Sequence, residues 1–225
     1  MDLQLIADSI SELIGGVGIT LQLLSVSLLA GMCIGLPMAF MRLSKNPLIW
    51  VPAHAYIFFF RGSPLLVQIF LVYYGLSQFE AVRESWAWPA LRSAYSCALI
   101  TFSLHTAAYA ANIIRGAIIA VPSGEIEAAR ACGMTRVHIF RTATLPYVLR
   151  IGLPPYSNEV IGMLKGTALV STITVADITG VARTIVSKTF APYEIFIAAA
   201  ILYLVITFII TRVFILVERR LAIPK

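Results

Sequence analysis

Charged side chains are scarce in this chain, and this scarcity excludes a protein that folds in water. Only 12% of its 225 residues are Asp, Glu, Lys or Arg, whereas 59% are hydrophobic, and the mean hydropathy is +0.87. A soluble domain has about 25% charged residues, so this chain lacks much of the polar surface that water requires. The composition predicts an all-α integral membrane protein, because helices satisfy their own backbone hydrogen bonds within lipid.

Cysteine and histidine are also few, and their positions show no pattern. Cys33, Cys97 and Cys132 lack metal-ligand spacing and the three histidines are scattered, so we expect no metal site and assign no catalytic residue. The sequence has no Gly-x-x-x-x-Gly-Lys-Ser/Thr loop, the motif whose backbone cradles the phosphates of ATP. We therefore expect that this chain holds no cofactor and is not an enzyme.

Five hydrophobic segments are long enough to cross a bilayer. The flank of the first has acidic residues and no Lys or Arg, which does not fit a signal peptide and predicts a retained span. The second is interrupted between Arg61 and Pro64, and the fourth by Pro154 and Pro155, so both are expected to be kinked or broken. The spans are predicted near 17–41, 55–79, 94–116, 147–169 and 194–216, within one domain covering residues 1–225.

Basic residues are distributed unequally between the two sides of this arrangement. Because they favour the cytoplasmic side, the bias predicts an outer N-terminus, a cytoplasmic C-terminus and a cytoplasmic segment at 117–146. Four Lys and Arg would lie outside and two, Arg61 and Lys165, within spans. Eleven of the seventeen would lie on the cytoplasmic side: Arg42, Lys45, Arg115, Arg130, Arg136, Arg141, Arg150, Arg212, Arg219, Arg220 and Lys225.

The segment between the third and fourth spans carries helix signals. Ser123 is predicted to cap a helix, Glu127 lies near the positive end of that helix, and Gly133 is expected to end it. From these residues alone, a helix that docks another protein and a solvated loop with an incidental helix are equally supported. A second helical segment is expected after Thr135, with Val137, Ile139 and Phe140 as its more buried side chains.

Ionisable groups at bilayer depth are candidate functional residues, because lipid does not solvate their charge. Glu159 is the strongest candidate, since its carboxylate suits a cationic side chain or an ammonium group. The alternative is a structural ion pair of Glu159 with Arg61 or Lys165. Asn158 and Tyr156 add hydrogen-bonding groups nearby, and they equally suit exposed backbone.

Two further residues are candidates for the pathway of a solute. Arg61 suits the carboxylate of a substrate and, equally, a lipid phosphate reached by snorkelling. His105 belongs to a polar stripe of the third span, although a lone histidine in a helix is more often structural. Gly31 and Gly35 form a Gly-x-x-x-Gly pair, which we expect to pack helices within the subunit rather than to form a dimer.

The motifs, in their order along the chain, resemble those of the integral-membrane subunits of ATP-binding-cassette importers. The family pattern Glu-Ala-Ala, three residues, Gly and a later Leu-Pro is matched, with Ala143 at a position where the family usually has Ile. The segment 61–68 is similar to the signature of the polar amino acid uptake group, whereas Asn112 stands where that group usually has Glu and is assigned no role. The segments 156–160 and 167–169 look closest to permeases for histidine, lysine, arginine and opines.

The resemblance implies a type I importer permease of the bacterial inner membrane, with about five transmembrane helices and a cytoplasmic coupling helix. Its implied partners are a cytosolic ATPase dimer that binds ATP and Mg²⁺, a second permease (paralogue or copy), a periplasmic solute-binding protein and the lipid bilayer, without nucleic acid. The segment 171–193 would contact the binding protein. An ion-coupled secondary transporter is the alternative, although it would need internal repeats that the chain lacks. The residues implied in ATPase coupling are Glu127, Ala128, Ala129, Gly133, Leu145 and Pro146.

Overall fold

The computed structural model describes residues 3–221, and all of the regular elements in this range are helical. Short π-helical turns (Leu71–Gly75 and Phe140–Thr144) and 3-10 turns (Leu76–Gln78 and Ala168–Ile173) join some of them. The α-helices are α1 (Leu3–Leu43), α2 (Pro47–Gly62), α3 (Leu65–Phe70), α4 (Glu80–Arg83), α5 (Trp88–Leu91), α6 (Ala94–Ile119), α7 (Ser123–Ala131), α8 (Arg136–Ile139), α9 (Leu145–Thr167), α10 (Ile178–Thr189) and α11 (Pro192–Leu221).

Three helices, α1, α6 and α11, are each long and apolar enough to cross a membrane alone. Two further spans are bent pairs: α2 with 65–78, at an angle of 108°, and the helical segment Arg136–Ile173 with α10, at 46°. Counting each bent pair once gives the five spans that the sequence predicts. The third and fourth predicted spans agree with α6 and α9 to within three residues at each end.

One of the two predicted breaks is correct and the other is wrong. The second span bends after Gly62, where Ser63 is extended because the residue before a proline avoids the helical region. In contrast, α9 continues through Pro154 and Pro155. A proline removes one N–H donor but keeps a helical φ, and two adjacent prolines do not end this helix. The fourth span instead bends after Ile173, where Thr174 has φ +65°.

A buried carboxylate holds the chain at this second bend. Asp177 caps α10 by accepting a hydrogen bond from the Gly180 N–H at 2.8 Å, and it accepts another from the Tyr203 hydroxyl at 2.9 Å. The Ile178 N–H donates to Thr20 Oγ1 at 3.2 Å. The bend is thereby tied to both α1 and α11, and the carboxylate is fully hydrogen-bonded although it is buried.

Close contact between α1 and α6 forms the centre of the fold. A Cβ added at Gly31 would lie 2.7 Å from Thr106 Cβ, and one added at Gly35 would lie 2.8 Å from the Ala107 carbonyl oxygen. Neither distance is compatible with a side chain, so both glycines are required for this approach. The prediction that this pair packs helices within the subunit is confirmed. Beside them, a core forms around Leu23, Ile69, Phe102, Leu164 and Val170.

The first helix is much longer than the predicted span 17–41. It has 41 residues, about 61 Å at 1.5 Å per residue, whereas the hydrocarbon core of a bilayer is about 30 Å thick. Its N-terminal part packs against α10 and the start of α11, around Leu13, Ile178, Ala182, Ile195 and Ala198. Part of the segment 171–193 is therefore a helix integrated into the bundle.

Candidate functional site

The predicted coupling helix is present as α7, and its first turn differs from the prediction. Pro122 is the cap residue, with φ −62° and ψ 127°, and no side chain caps the helix. Ser123 is thus the first helical residue, so its prediction as the cap is wrong. Glu127 and Ala128 are exposed and Ala129 is half-buried. The motif therefore presents one acidic and several small side chains at the surface of the subunit.

Gly133 ends α7, as the sequence predicts, through a specific backbone turn. Its φ is +73°, a region that glycine adopts without steric cost. The Gly133 N–H donates to the Arg130 carbonyl at 2.9 Å and the Met134 N–H to the Ala129 carbonyl at 3.1 Å. This pair of bonds is a Schellman motif, which fixes the direction in which the chain leaves α7.

The short helix α8 follows directly, and Thr135 caps it by accepting a hydrogen bond from the His138 N–H at 3.3 Å. Of the three side chains predicted to be more buried here, Ile139 is buried. Val137 is 62% exposed, and Phe140, the first residue of the following π-helical turn, is 46% exposed. The prediction is wrong for these two residues, because α8 turns only one face toward the subunit. Together with exposed Met134, they leave an apolar surface beside α7.

Leu145 and Pro146 begin α9, the helix of the fourth span, and the chain enters it without an irregular loop. The π-helical turn Phe140–Thr144 joins α8 directly to α9. Proline at the second position of α9 is tolerated because the wider turn before it accommodates a missing N–H donor. Leu145 lines an apolar cavity of about 320 Å³ between α1, α6 and α9.

Two of the pathway candidates, Arg61 and His105, lie at the corner between α2 and α3. Gln68 is buried there, and its Nε2 donates to the carbonyl oxygens of Phe60 and Ser63 at 2.8 and 3.0 Å and lies 2.8 Å from Ser63 Oγ. Its Oε1 lies 3.0 Å from His105 Nδ1. His105 therefore anchors the corner to α6, which is a structural role. The sequence prediction missed Gln68, although an amide in an apolar segment beside a predicted break was a usable signal.

Arg61 extends from this corner over the ring of Tyr109. The guanidinium carbon lies 5.2 Å from the ring centroid, a cation–π geometry. Its charge also attracts the carboxylate of Glu159, which is half-buried on α9. Within residues 3–221, however, no acidic side chain lies within 4 Å of a basic one, so Glu159 forms no direct ion pair with Arg61 or Lys165. Lys165 is exposed. Glu159 and Arg61 thus interact electrostatically without forming a direct ion pair.

The two remaining candidates differ in their surroundings. Tyr156 packs its ring against Phe214, with centroids 6.5 Å apart, and it lines the apolar cavity beside α1 and α6. Asn158 is exposed. The structure therefore brings Arg61, His105 and Glu159 into one region, gives Tyr156 a packing role, and places Asn158 at the surface. In the described part of the chain, no group of three His, Cys, Asp or Glu residues is placed to bind a metal.

Known sequences similar to this chain are transport permeases. A family model described as "Binding-protein-dependent transport system inner membrane component" matches residues 31–223. The octopine transport system permease protein of Rhizobium meliloti is 50% identical over 206 residues, which cover 92% of this chain and 84% of that protein. The nopaline permease of Agrobacterium fabrum is 46% identical over 219 residues, 97% and 91% of the two chains. The histidine/lysine/arginine/ornithine permease of Escherichia coli K12 is 43% identical over 206 residues, 91% and 87%.

Solved structures give the same result for the fold. The crystal structure of an amino acid ABC transporter with histidines has a TM-score of 0.86 and 35% identity, and the match covers 98% of this chain and 99% of that chain. The inward-facing methionine ABC transporter MetNI has a TM-score of 0.75 at 18% identity, covering 94% and 97%, and shows the fold alone. The predicted importer-permease fold is confirmed, and these relatives give no support to a secondary transporter. The chain belongs to the family of binding-protein-dependent transport system inner membrane components.

Proposed function

We propose that this chain is the membrane-spanning permease subunit of an ATP-driven importer for basic amino acids or opines. A periplasmic binding protein would deliver the substrate, and a separate ATPase dimer would bind ATP and Mg²⁺. The observation that carries the proposal is the placement of Glu159 and Arg61 within electrostatic reach of each other, in a chain 50% and 43% identical to octopine and basic amino acid permeases.

The charges of this region suit a zwitterionic solute with an additional cationic group. A guanidinium can hold a carboxylate through two parallel hydrogen bonds, so Arg61 would bind the α-carboxylate. Glu159 would bind the ammonium or the cationic side chain. Because the two residues do not neutralise each other by direct contact, both keep free hydrogen-bonding capacity. An acidic solute would lack a partner for its second carboxylate and would be repelled by Glu159.

Coupling to the ATPase would occur at α7. Its small side chains allow a groove of another protein to approach the backbone, and the adjacent apolar surface of Met134, Val137 and Phe140 is uncovered in the isolated subunit. An exposed apolar patch of this kind is typical of a protein interface. Glu127, Ala128, Ala129 and Gly133 would thus form the contact.

The structure also supports a route for movement from α7 into the membrane. The Schellman turn at Gly133 fixes α7 to the next helix, and the helical segment Arg136–Ile173 is continuous, about 57 Å long at 1.5 Å per residue. Closure of the ATPase dimer would displace α7 and rock this rod, which carries Leu145, Pro146 and Glu159. A second permease, either a copy or a paralogue, would supply the α7 for the other ATPase subunit.

Reconstitution of the complete importer in proteoliposomes tests this proposal. We expect uptake of arginine, ornithine or octopine that requires ATP and the binding protein and is abolished by vanadate. Glutamate, as an acidic control of similar size, is expected to enter much more slowly. Uptake driven by a proton gradient without ATP, or equal uptake of glutamate and arginine, would contradict the proposal.

A further inference from the structure

A pocket of about 310 Å³ beside the end of α1 is lined by basic side chains. Arg42, Arg61 and His54 form part of its wall, with Asn112 and the apolar side chains of Ile57 and Phe58. None of the described residues that line it is acidic. The pocket therefore combines a positive wall with an apolar wall.

Two guanidinium nitrogen atoms in or beside this pocket lack hydrogen-bond partners among the described residues. The Nε atoms of Arg42 and of neighbouring Arg115 are shielded from solvent and have no hydrogen-bond partner within residues 3–221. Arg115 is also close enough to Arg42 for their like charges to repel each other. Both side chains are half-buried. Shielded polar atoms are normally hydrogen-bonded, so two adjacent arginines with shielded, unpartnered Nε atoms favour the binding of an anion beside them.

The position of the pocket favours a phosphate group as this anion. Arg42 lies in the last turn of α1, on the side that the basic residues predict to be cytoplasmic, where anionic lipid head groups attract Lys and Arg. Along α2, the rings of Trp50, His54 and Phe58 follow one another, with centroids 6.0 and 6.3 Å apart. Of these three residues, Trp50 is of the type that is enriched at the membrane–water interface.

We propose that this pocket binds a phosphate group at Arg42, with Arg61 and Asn112 on the opposite wall. The phosphate would come from an anionic phospholipid of the inner leaflet or from free cytosolic phosphate. Arginine forks match phosphate oxygens bidentately, and the Asn112 amide has N–H donors for a third oxygen. For a lipid, Ile57 and Phe58 would contact the glycerol and the first carbons of the acyl chains. The site goes beyond the proposed substrate site, because Arg42 and Asn112 are not among the residues proposed to bind the substrate; only Arg61 is shared.

Native mass spectrometry of the delipidated full chain tests the lipid source. Phosphatidylglycerol is titrated onto the wild type, Arg42→Gln and the control Lys45→Gln, which removes an exposed charge of the same helix end without lining the pocket. We expect binding to weaken about tenfold in Arg42→Gln, since charge-assisted hydrogen bonds are lost, and to stay within about twofold in the control. A second variant, Asn112→Asp, keeps the shape of the side chain and is expected to repel the lipid while folding normally.

Thermal unfolding tests the free anion. Potassium phosphate, compared with chloride at equal ionic strength, should raise the Tm of the wild type and of Lys45→Gln, but not of Arg42→Gln or Asn112→Asp. A response to phosphatidylglycerol alone identifies the lipid as the source, and a response to inorganic phosphate identifies the free ion. Absence of both responses in the wild type, or equal responses of Arg42→Gln, Asn112→Asp and the control, overturns the proposal. Arg61 and Glu159 are unchanged throughout, so this outcome is independent of substrate selectivity.

Discussion

At the scale of single residues, Glu159 is a carboxylate on a membrane-spanning helix that no basic side chain of the described range contacts directly. A group of this kind is costly to keep in lipid unless water or a ligand solvates it. Arg61 attracts it from the corner after α2, and the ring of Tyr109 holds Arg61 in place. The two charges therefore match the two opposite charges of a zwitterion.

The proposed role of the Glu159 carboxylate in binding a cationic substrate can be tested by replacing it with an amide. In Glu159→Gln, we expect the KM for arginine to rise about tenfold or more, since hydrogen bonds to charged groups contribute about 1.5–3 kcal/mol. Uptake of a neutral amino acid should change much less. The measurement is uptake by the reconstituted importer, with Glu218→Gln as the control because it removes a carboxylate from the end of α11. Equal losses for cationic and neutral substrates would indicate a structural carboxylate.

The backbone turn at Gly133, just after α7, can be tested by substitution, because Gly124 within α7 provides a matched control. Neither Gly133 nor Gly124 has an atom within 4 Å of an added Cβ, but only Gly133 has positive φ. In Gly133→Val the β-branched side chain disfavours that φ, so the Schellman turn should be lost and co-purification of the ATPase should decrease. Gly124→Val meets no atom and needs no positive φ, and valine has a higher helix propensity than glycine, so this variant should retain the ATPase. Normal ATPase association in Gly133→Val would contradict the coupling role.

At the scale of elements, the corner between α2 and α3 depends on Gln68. Gln68→Leu leaves the carbonyl oxygens of Phe60 and Ser63 without a donor, and each unsatisfied buried group costs about 1–3 kcal/mol. We expect a lower Tm in detergent and a higher KM for arginine, because Arg61 is no longer positioned. Gln78→Leu is the control, since Gln78 is exposed and bonds only to a local carbonyl at 3.3 Å. An unchanged Tm in Gln68→Leu would show that the corner is held by packing alone.

The elements also show how far the sequence determines this fold. Apolar runs fix the number of spans and most of their bounds, because lipid demands about 20 apolar residues for each crossing helix. The proline pair at residues 154–155 led to the wrong prediction of a break in the fourth span, because packing against neighbouring helices keeps α9 helical at these two residues. The actual bend depends on the hydrogen bonds of the Ile178 N–H to Thr20 and of the Tyr203 hydroxyl to Asp177, whose partners are distant in sequence. Tertiary partners of this kind have no local signal.

The candidate site was predictable to a similar degree. Glu159 and Arg61 stand out as ionisable residues in apolar segments, and that signal is local. The helix of the coupling motif is likewise predictable from the sequence, apart from its cap, whereas the coupling role of its residues stays a prediction. In contrast, the packing of Tyr156 on Phe214 and the bond of His105 to Gln68 depend on which helices become neighbours, so pathway and packing roles could not be separated from the sequence.

At the scale of the whole molecule, the proposed coupling to the ATPase depends on the side of the membrane on which α7 lies. The continuous segment Arg136–Ile173 connects α7, at one end of the bundle, to the bend at Asp177. Force applied to α7 reaches the membrane only if α7 faces the ATPase on the cytoplasmic side. Cys132 is exposed at the end of α7, whereas Cys97 is buried, so one native thiol reports on both properties.

The last prediction uses this thiol in Cys33→Ser/Cys97→Ser, which leaves Cys132 as the single cysteine. A membrane-impermeant maleimide should not label Cys132 in intact spheroplasts, and it should label a Lys188→Cys control that lies on the predicted outer side. In inside-out vesicles, Cys132 should react readily when the ATPase has been stripped and slowly when it is assembled, because a covered thiol is inert. Labelling of Cys132 from the outside would reverse the orientation, and equal rates with and without the ATPase would place the docking surface elsewhere.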